Sequence, residues 1–481
     1  MHIRKPRARR PRTNLRRVCA LATAVVGIAG PSAPAQVAEP DAYLRQQQYL
    51  ERQVWERLDR ELPAAQKVDF DWGGWYNFWL LIYDDGLNSS RTVRRNDLRL
   101  WADLSLDQGA HEFYVRPRLS LIDFNRGDSY SGNEDDIEGP NLERGWYEFD
   151  LAKAMRARHR PMRDADLKLR IGRDLVELGT GYALSLPMDH ILLTTRWKAW
   201  EVTGLMGRSI QSMDDIERSR PDGGEMERTF WGLQARYLGG KHQPFAYIFW
   251  NDDQNNESPE NYLQNYAYDS SYVGVGSRGE LYRNLRYSTE WVFEQGASYG
   301  HRKFMRRDRI QAWAFDFTIE YLSQGRFKPR YFGEYMFASG DADRRFSPTN
   351  AVGGNTRGDD NSFVGFGWRD TGLSFAPRLS NVHIWRLGAA FLPFENVEVL
   401  RHLELGTDWF LYFKNRQNAA VSDPTADGRD GYLGWEMDYF ANWRVTSDLS
   451  LTTRYGVFFP GDAFSDQTTR TFLLTGVTWS F

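Results

Sequence analysis

From Lys67 onward the sequence alternates with a period of two, and the alternating segments are joined in turn by very short and by long connections. Leu98, Leu100, Ala102, Leu104 and Leu106 interleave with Asp97, Arg99, Trp101, Asp103 and Ser105. Leu403, Leu405, Thr407, Trp409, Leu411 and Phe413 do the same with Glu404, Gly406, Asp408, Phe410, Tyr412 and Lys414. Successive side chains of a strand point to opposite faces, so each segment has one apolar and one polar side. The pattern predicts strands near 67–83, 96–107, 111–124, 143–152, 165–174, 189–197, 199–209, 226–238, 242–252, 263–276, 283–297, 307–322, 328–340, 381–393, 400–415, 430–443, 446–458 and 469–481. A soluble sandwich would alternate as well; the connections decide. After even-numbered strands many of them are tight, as at Asp107-Gln108-Gly109, Trp197-Lys198, Gly239-Gly240 and Arg444-Val445. After odd-numbered strands they are mostly long and polar, as at 125–142, 210–225, 341–380 and 416–429. An even number of strands with short turns at one end and long loops at the other is the pattern of an outer-membrane barrel. The basic connection 153–164 breaks it, being long on the short-turn side. The expected fold is all-β: a transmembrane antiparallel β-barrel of about eighteen strands.

Composition fits that fold and few others. Aromatic residues make up 15% of the 481 residues, yet the mean hydropathy is −0.61. A helical membrane protein needs runs of about 20 apolar residues, and none follows the N-terminal region. A barrel reconciles the two, because its lumen is polar and its interfacial girdles consume Trp, Tyr and Phe. The last strand adds a separate signal. Leu473, Thr475, Val477, Trp479 and Phe481 share one face, and an aromatic C-terminal residue resembles the signal by which barrel-assembly machinery selects its clients. The end strand must also pair with the first, since lipid cannot satisfy an open edge.

Residues 1–35 have the form of a secretory signal. Arg4, Lys5, Arg7, Arg9, Arg10, Arg12, Arg16 and Arg17 precede a short apolar run from Val18 to Gly30, and Ala33-Pro34-Ala35 supplies a cleavage site before Gln36. Arg16-Arg17 is the only trace of a twin-arginine motif. Cys19, the single cysteine, lies before the apolar run, which argues against a lipid anchor and leaves the mature chain without disulfides or thiolate ligands. The whole chain carries 61 basic and 64 acidic residues; without the 8 basic residues of the leader the balance is 53 against 64, or −11. Such a chain offers no support for nucleic-acid binding, and any anionic ligand must meet a local basic patch.

Residues 36–66 form a separate segment before the barrel at 67–481. Within it Leu44, Leu50, Val54, Trp55, Leu58 and Leu62 recur at helical spacing between Pro40-Asp41 and Pro63. A short periplasmic helix accounts for this, and a plug or docking element is the sharper alternative.

Strand parity assigns the lumen. An Arg facing lipid at the midplane costs on the order of 2–4 kcal/mol, so charged strand residues are expected to turn inward. That places Arg99, Arg116, Arg118, Arg144, Lys168, Arg170, Arg228, Arg236, Arg286, Arg386 and Arg454 in the lumen. With them go Asp97, Asp103, Glu148, Asp150, Glu290, Asp316, Glu320, Glu404, Asp408, Glu436 and Asp438. A lumen cross-braced by ion pairs explains the set; a constriction where arginines outnumber their partners would in addition select anions. A planar guanidinium binds carboxylates bidentately, which suits a polyuronate. Asp341, Asp343, Asp359 and Asp360 offer oxygen ligands for calcium, although a solvated acidic loop is the simpler account of them. No metal-spaced His pair and no Ser-His arrangement points to an enzyme; Ser120 and His111 sit too far apart along one strand. No cofactor is expected.

Several short motifs, in shared order, resemble the bacterial alginate-export outer-membrane proteins. They are Glu143-Arg144-Gly145-Trp146-Tyr147-Glu148-Phe149-Asp150, Leu167-Lys168-Leu169-Arg170-Ile171-Gly172-Arg173, Leu379-Ser380-Asn381 and the run from Arg454 to Phe464. The resemblance implies a monomeric eighteen-stranded conduit for an anionic exopolysaccharide, with Arg144, Arg170, Arg173 and Arg454 among its pore arginines. Thr452 stands where the family has a further arginine beside Arg454. The expected ligand-binding set is therefore Arg116, Arg118, Arg144, Arg170, Arg173, Arg386 and Arg454. Glu148, Asp150, Glu404, Asp408, Glu436 and Asp438 are the expected acidic pore lining. The expected partners are anionic polysaccharide, outer-membrane lipid, the barrel-assembly machinery and periplasmic export proteins. A porin for small solutes is the nearest alternative, and a barrel enzyme or surface-binding protein the more distant one.

Overall fold

The structure is a computed structural model that describes residues 68–86, 90–128, 135–158, 160, 162, 164–210, 226–254, 267–299, 307–344 and 358–481. The leader and the expected helix at 41–62 lie outside the described residues. The strands are β1 (Val68–Asp84), β2 (Arg91–Leu106), β3 (His111–Phe124), β4 (Asp135–Asp150), β5 (Ala165–Leu178) and β6 (Leu184–Trp197). They continue as β7 (Trp200–Ser209), β8 (Arg228–Tyr237), β9 (His242–Asp253), β10 (Asp269–Tyr282), β11 (Leu285–Tyr299) and β12 (Arg307–Leu322). The last six are β13 (Arg330–Ala338), β14 (Val382–Phe391), β15 (Leu403–Lys414), β16 (Tyr432–Arg444), β17 (Leu449–Pro460) and β18 (Arg470–Ser480). All eighteen pair antiparallel with their sequence neighbours, and β1 pairs with β18 from Trp75↔Ser480 to Asp84↔Thr471, which closes the barrel. Closure leaves no strand edge for lipid to meet.

Alternation sets the two faces. Leu100, Phe113, Val115, Ile171, Leu193, Leu233, Val275 and Leu387 are exposed on the outside, and Trp197 and Trp200 flank the two-residue turn between β6 and β7 at the short-turn end. At that same end Phe481 exchanges backbone hydrogen bonds with Gly74 of β1, both 2.9 Å. Its ring remains on the outer surface beside Trp479.

Departures from the expected boundaries cluster at the long-loop end. β4 starts at Asp135 rather than near 143, β5 reaches Leu178, and β6 starts at Leu184. Beyond the lipid the outward residues no longer need to be apolar, so the alternation fades while the pairing continues. There Arg94 of β2 bonds Asp123 of β3 at 3.2 Å on the outer face. β10 is shifted to 269–282, where Gly274, Gly276 and Gly279 dilute its pattern. The basic connection after β4 contains a helix, α1 (Leu151–Ala157), capped by Asp150, whose side chain accepts from the Lys153 amide at 2.8 Å.

Candidate pore-lining site

The inward faces of β2 to β5 form an arginine wall. Arg99 and Arg118 are cross-strand partners, as are Arg116 and Arg144. Like charges set opposite each other repel, so each pair needs an anion between or beside it. Glu143 supplies one: Arg99 Nε lies 3.0 Å from it, Arg116 Nε 2.8 Å and Arg118 Nη1 3.7 Å. Glu143 reaches inward because it is the extra residue of a bulge, where Arg116 pairs with Arg144 but Pro117 already pairs with Leu142. Such bulges re-aim a side chain. Asp97 bonds Arg95 at 3.0 Å, Asp174 takes Arg144 at 2.9 Å and Arg170 at 3.1 Å, and Glu148 takes Arg170 at 2.8 Å.

The Arg170 guanidinium also lies 4.2 Å from the Trp146 ring centre. That stack depends on Gly172, the cross-strand partner of Trp146. Gly172 has φ +144°, and a Cβ there would sit 2.2 Å from the Gly145 carbonyl and 2.5 Å from Trp146 Cα. Lys168, with a side chain 39% exposed, and Arg170, at 30%, are the cations of this wall most open to water.

Halfway round the barrel, β11 to β16 form an acidic wall. Glu290 faces Asp316 across β11–β12, and Asp408 faces Asp438 across β15–β16. This wall is covered. The segment 358–381 between β13 and β14 folds inward, and the carboxylates bind its backbone. Glu436 accepts from the amides of Leu373 and Ser374, both at 2.6 Å, and of Phe375 at 2.9 Å. Glu294 accepts from the Val364 amide at 2.9 Å. Arg369 enters between Asp316 at 3.1 Å and Glu334 at 3.7 Å. The turn 179–183 adds Thr180, whose amide donates to Glu290 at 2.6 Å. Around these contacts Phe363, Phe366 and Phe375 join Tyr272, Tyr412 and Phe458 in the buried cluster, while Leu373 joins Trp79, Leu81, Phe472 and Leu474 in a second, smaller one.

Residues 86–476 match the family model described as alginate export. The chain belongs to the alginate-export family. It is a protein of the outer membrane. Its barrel is similar to three crystal structures from Pseudomonas aeruginosa, OccK8 (OprE), OpdO and OccK11 (OpdR). OccK8 (OprE) is 12% identical, with 86% of this chain and 98% of that one covered and a TM-score of 0.53. OpdO is 13% identical, with 86% and 97% covered and a TM-score of 0.52. OccK11 (OpdR) is 13% identical, with 86% and 96% covered and a TM-score of 0.51. At such identity the likeness is one of fold. No curated protein sequence matches the chain.

In this alginate-export protein Arg116, Arg118, Arg144 and Arg170 come together as expected of neighbouring strands. The other three do not join them. Arg173 lies on the outer face, because Gly172 keeps Arg170, Gly172 and Asp174 on the inner side; it forks onto Asp189 at 2.7 and 2.8 Å. Arg386 belongs to the acidic wall, bonded to Asp408 at 3.0 Å and Glu334 at 3.4 Å. Arg454 lies on β17 over Phe440, 5.9 Å from its ring centre.

Among the expected acids, Glu148 serves the arginine wall. Asp150 divides itself between Lys168 at 3.1 Å and the α1 cap. Glu404 accepts from Asn442 at 3.3 Å, Asp408 holds Arg386, and Glu436 and Asp438 lie buried against the inward segment. Parity could not find Glu143, since a bulge reverses parity. The acidic loop is not a solvated one throughout: Asp360 is buried against Arg344, with Arg344 Nε at 3.0 Å, and Asp341 accepts from the Asn361 amide at 2.8 Å. Among the described residues no group of three or more His, Cys, Asp or Glu side chains is placed to hold a metal ion.

Proposed function

We propose that this barrel is a passive conduit for an anionic exopolysaccharide of the polyuronate type, which moves along the arginine wall of β2 to β5. The observation that carries this is the pair of like-charged cross-strand contacts, Arg99/Arg118 and Arg116/Arg144. A sheet gains nothing in stability from such pairs, whereas a run of guanidinium groups on one wall matches a run of carboxylates on a polymer. Transport along it uses many weak contacts, because a chain held tightly at one site would not leave. Ion pairing with Glu143, Glu148 and Asp174 keeps each contact weak. No catalytic step is involved. Delivery by periplasmic export proteins, cleavage after Ala35, insertion by the assembly machinery through the exposed Trp479 and Phe481, and action as a monomer complete the proposal.

Planar-bilayer recording tests it. The wild-type pore is expected to prefer anions in a salt gradient and to be blocked by a soluble polyuronate but not by a neutral polysaccharide. Replacing Arg144 and Arg170 together by Glu is expected to abolish or reverse the preference while the barrel stays heat-modifiable on a gel. Arg173→Gln, on the outer face, is expected to change nothing. A cation-selective wild-type pore overturns the proposal; anion preference without polyuronate block would favour small anionic solutes instead.

A further inference from the structure

We infer that the inward segment 358–381 is an electrostatic liner: it hides the acidic wall from the lumen and leaves the arginine wall to set the ion preference. The inference deepens the proposed function and rests on it. Two contrasts support it. The first is one of exposure. Glu290, Asp316 and Glu436 are 0% exposed and Glu294 is 1%. On the arginine wall Arg99 and Arg116 are also buried, at 1% each, but the Arg118, Arg170 and Lys168 side chains remain 19%, 30% and 39% exposed. The second lies in what satisfies the charges. The arginines are held by side chains of their own strands, but Glu294 and Glu436, besides the hydroxyls of Tyr272 and Tyr412 on neighbouring strands, are held by backbone amides of the segment, and Asp316 by its Arg369. The described contacts of the segment follow the acidic arc: it touches β6 at Leu184↔Phe366, β12 and β13 through Arg369, and β16 through residues 373–375, and Leu373 joins Trp79 of β1 in a small buried cluster.

A plug and a liner make different demands on charge. The connection from 340 to 380 contains five Arg (344, 345, 357, 369 and 378) and five Asp (341, 343, 359, 360 and 370), so its net charge is zero. Its removal therefore leaves the charge of the barrel unchanged and alters only which wall groups meet the lumen. A focused field of one sign changes local counter-ion concentration by tenfold or more, so uncovering several carboxylates has a large effect on permeation.

Ala338 and Val382 are direct cross-strand partners, so a short Gly-Ser turn can replace 340–380 without stretching the hairpin. In bilayers, the anion-to-cation permeability ratio of that variant is expected to fall roughly tenfold relative to the full chain. Adding Glu294→Gln and Glu436→Gln to the shortened barrel is expected to restore most of the loss. An increase in conductance with an unchanged ratio would show an obstruction rather than a liner and overturn the inference. Should the shortened barrel fail to insert, single substitutions in the full chain separate the same two outcomes. Glu320→Gln and Glu404→Gln, whose side chains are 23% and 28% exposed, are expected to move the reversal potential, and the covered Asp316→Asn is not. Equal shifts from covered and uncovered acids overturn the liner. These outcomes are differences between barrels, so they stand apart from the sign of the wild-type preference, which tests the proposed function.

Discussion

The arginine wall of β2 to β5 and the acidic wall of β11 to β16 have the same problem and solve it differently. Each sets like charges opposite one another, Arg116 against Arg144 on one side and Glu290 against Asp316 on the other. In the first, neighbouring strands supply the counter-charges, and a single bulged carboxylate, Glu143, serves three arginines. In the second, neighbouring strands supply only part: Arg386 for Asp408 and Glu334, and the hydroxyls of Tyr247, Tyr272 and Tyr412 for Glu290, Glu294 and Glu436. The rest arrives from far along the chain: Thr180 for Glu290, Val364 for Glu294, and residues 373–375 for Glu436. One wall is complete once its strands have paired. The other is complete only when a loop has folded onto it.

The strongest way to break this comparison is to remove the central carboxylate from each wall. Glu143→Ala leaves three guanidinium groups without their shared partner, and breaking a buried ion pair costs about 3–5 kcal/mol. The variant is expected to lose that much in urea unfolding from micelles, because the loss falls on strand pairing itself. Glu436→Ala is expected to leave the unfolding midpoint of the barrel nearly unchanged and to make the segment 358–381 sensitive to protease. If Glu436→Ala destabilises the barrel as much as Glu143→Ala does, the acidic wall is no less sheet-encoded than its counterpart.

The same contrast explains what can be foreseen from sequence. Inside the lipid the alternation is enforced by solvation on both faces, so β3, β7, β9 and β12 begin and end close to where the pattern places them. Outside the lipid that constraint lapses, which is why the outer half of β4 looks like loop until its partners are known. Arg116, Arg118, Arg144 and Arg170 are legible because parity and neighbouring strands suffice to bring them together. Glu143 is not, because its bulge inverts the parity that places Arg144. Arg173 misleads for the opposite reason: Gly172 adopts an unusual φ yet keeps the alternation, so the residue after it faces out. The inward segment is beyond reach. Its contacts join residues up to 189 positions apart, as between Arg369 and Thr180, and nothing local in its sequence marks it as lumenal.

A smaller effect is expected from Gly172→Ala. The added methyl meets the Gly145 carbonyl at 2.2 Å, so β4 and β5 must part locally. A residue other than glycine in such backbone costs on the order of 1–3 kcal/mol. The loss should show in thermal unfolding and, more tellingly, in the pore: Arg170 leaves its place over Trp146, and polyuronate block weakens. If block is unaffected, the stacked position of Arg170 is not what the polymer meets.

The smallest effect is expected from charges that belong to neither wall. Asp427 and Asp466, in the loops after β15 and β17, are fully exposed. Hydrogen bonds from Ser465 hold the Asp427 carboxyl below its ordinary value, and bonds from Thr468 do the same for Asp466. A depressed folded value means that the stabilising contribution is present above the unfolded carboxylate value near 3.9 and is lost as the pH falls through the folded one. Amide protection at Ser465 and Thr468, corrected for intrinsic exchange, should therefore stay level from pH 7 to about pH 5 and decline only below about pH 4. Asp427→Asn should remove part of that protection at Ser465 and leave ion preference where it was. Water screens an exposed rim charge, whereas Arg170 acts inside a narrow lumen with low-dielectric walls that focus its field. A shift in reversal potential from Asp427→Asn as large as that from Arg170→Glu would place the selectivity at the rim, and both walls would then be structural.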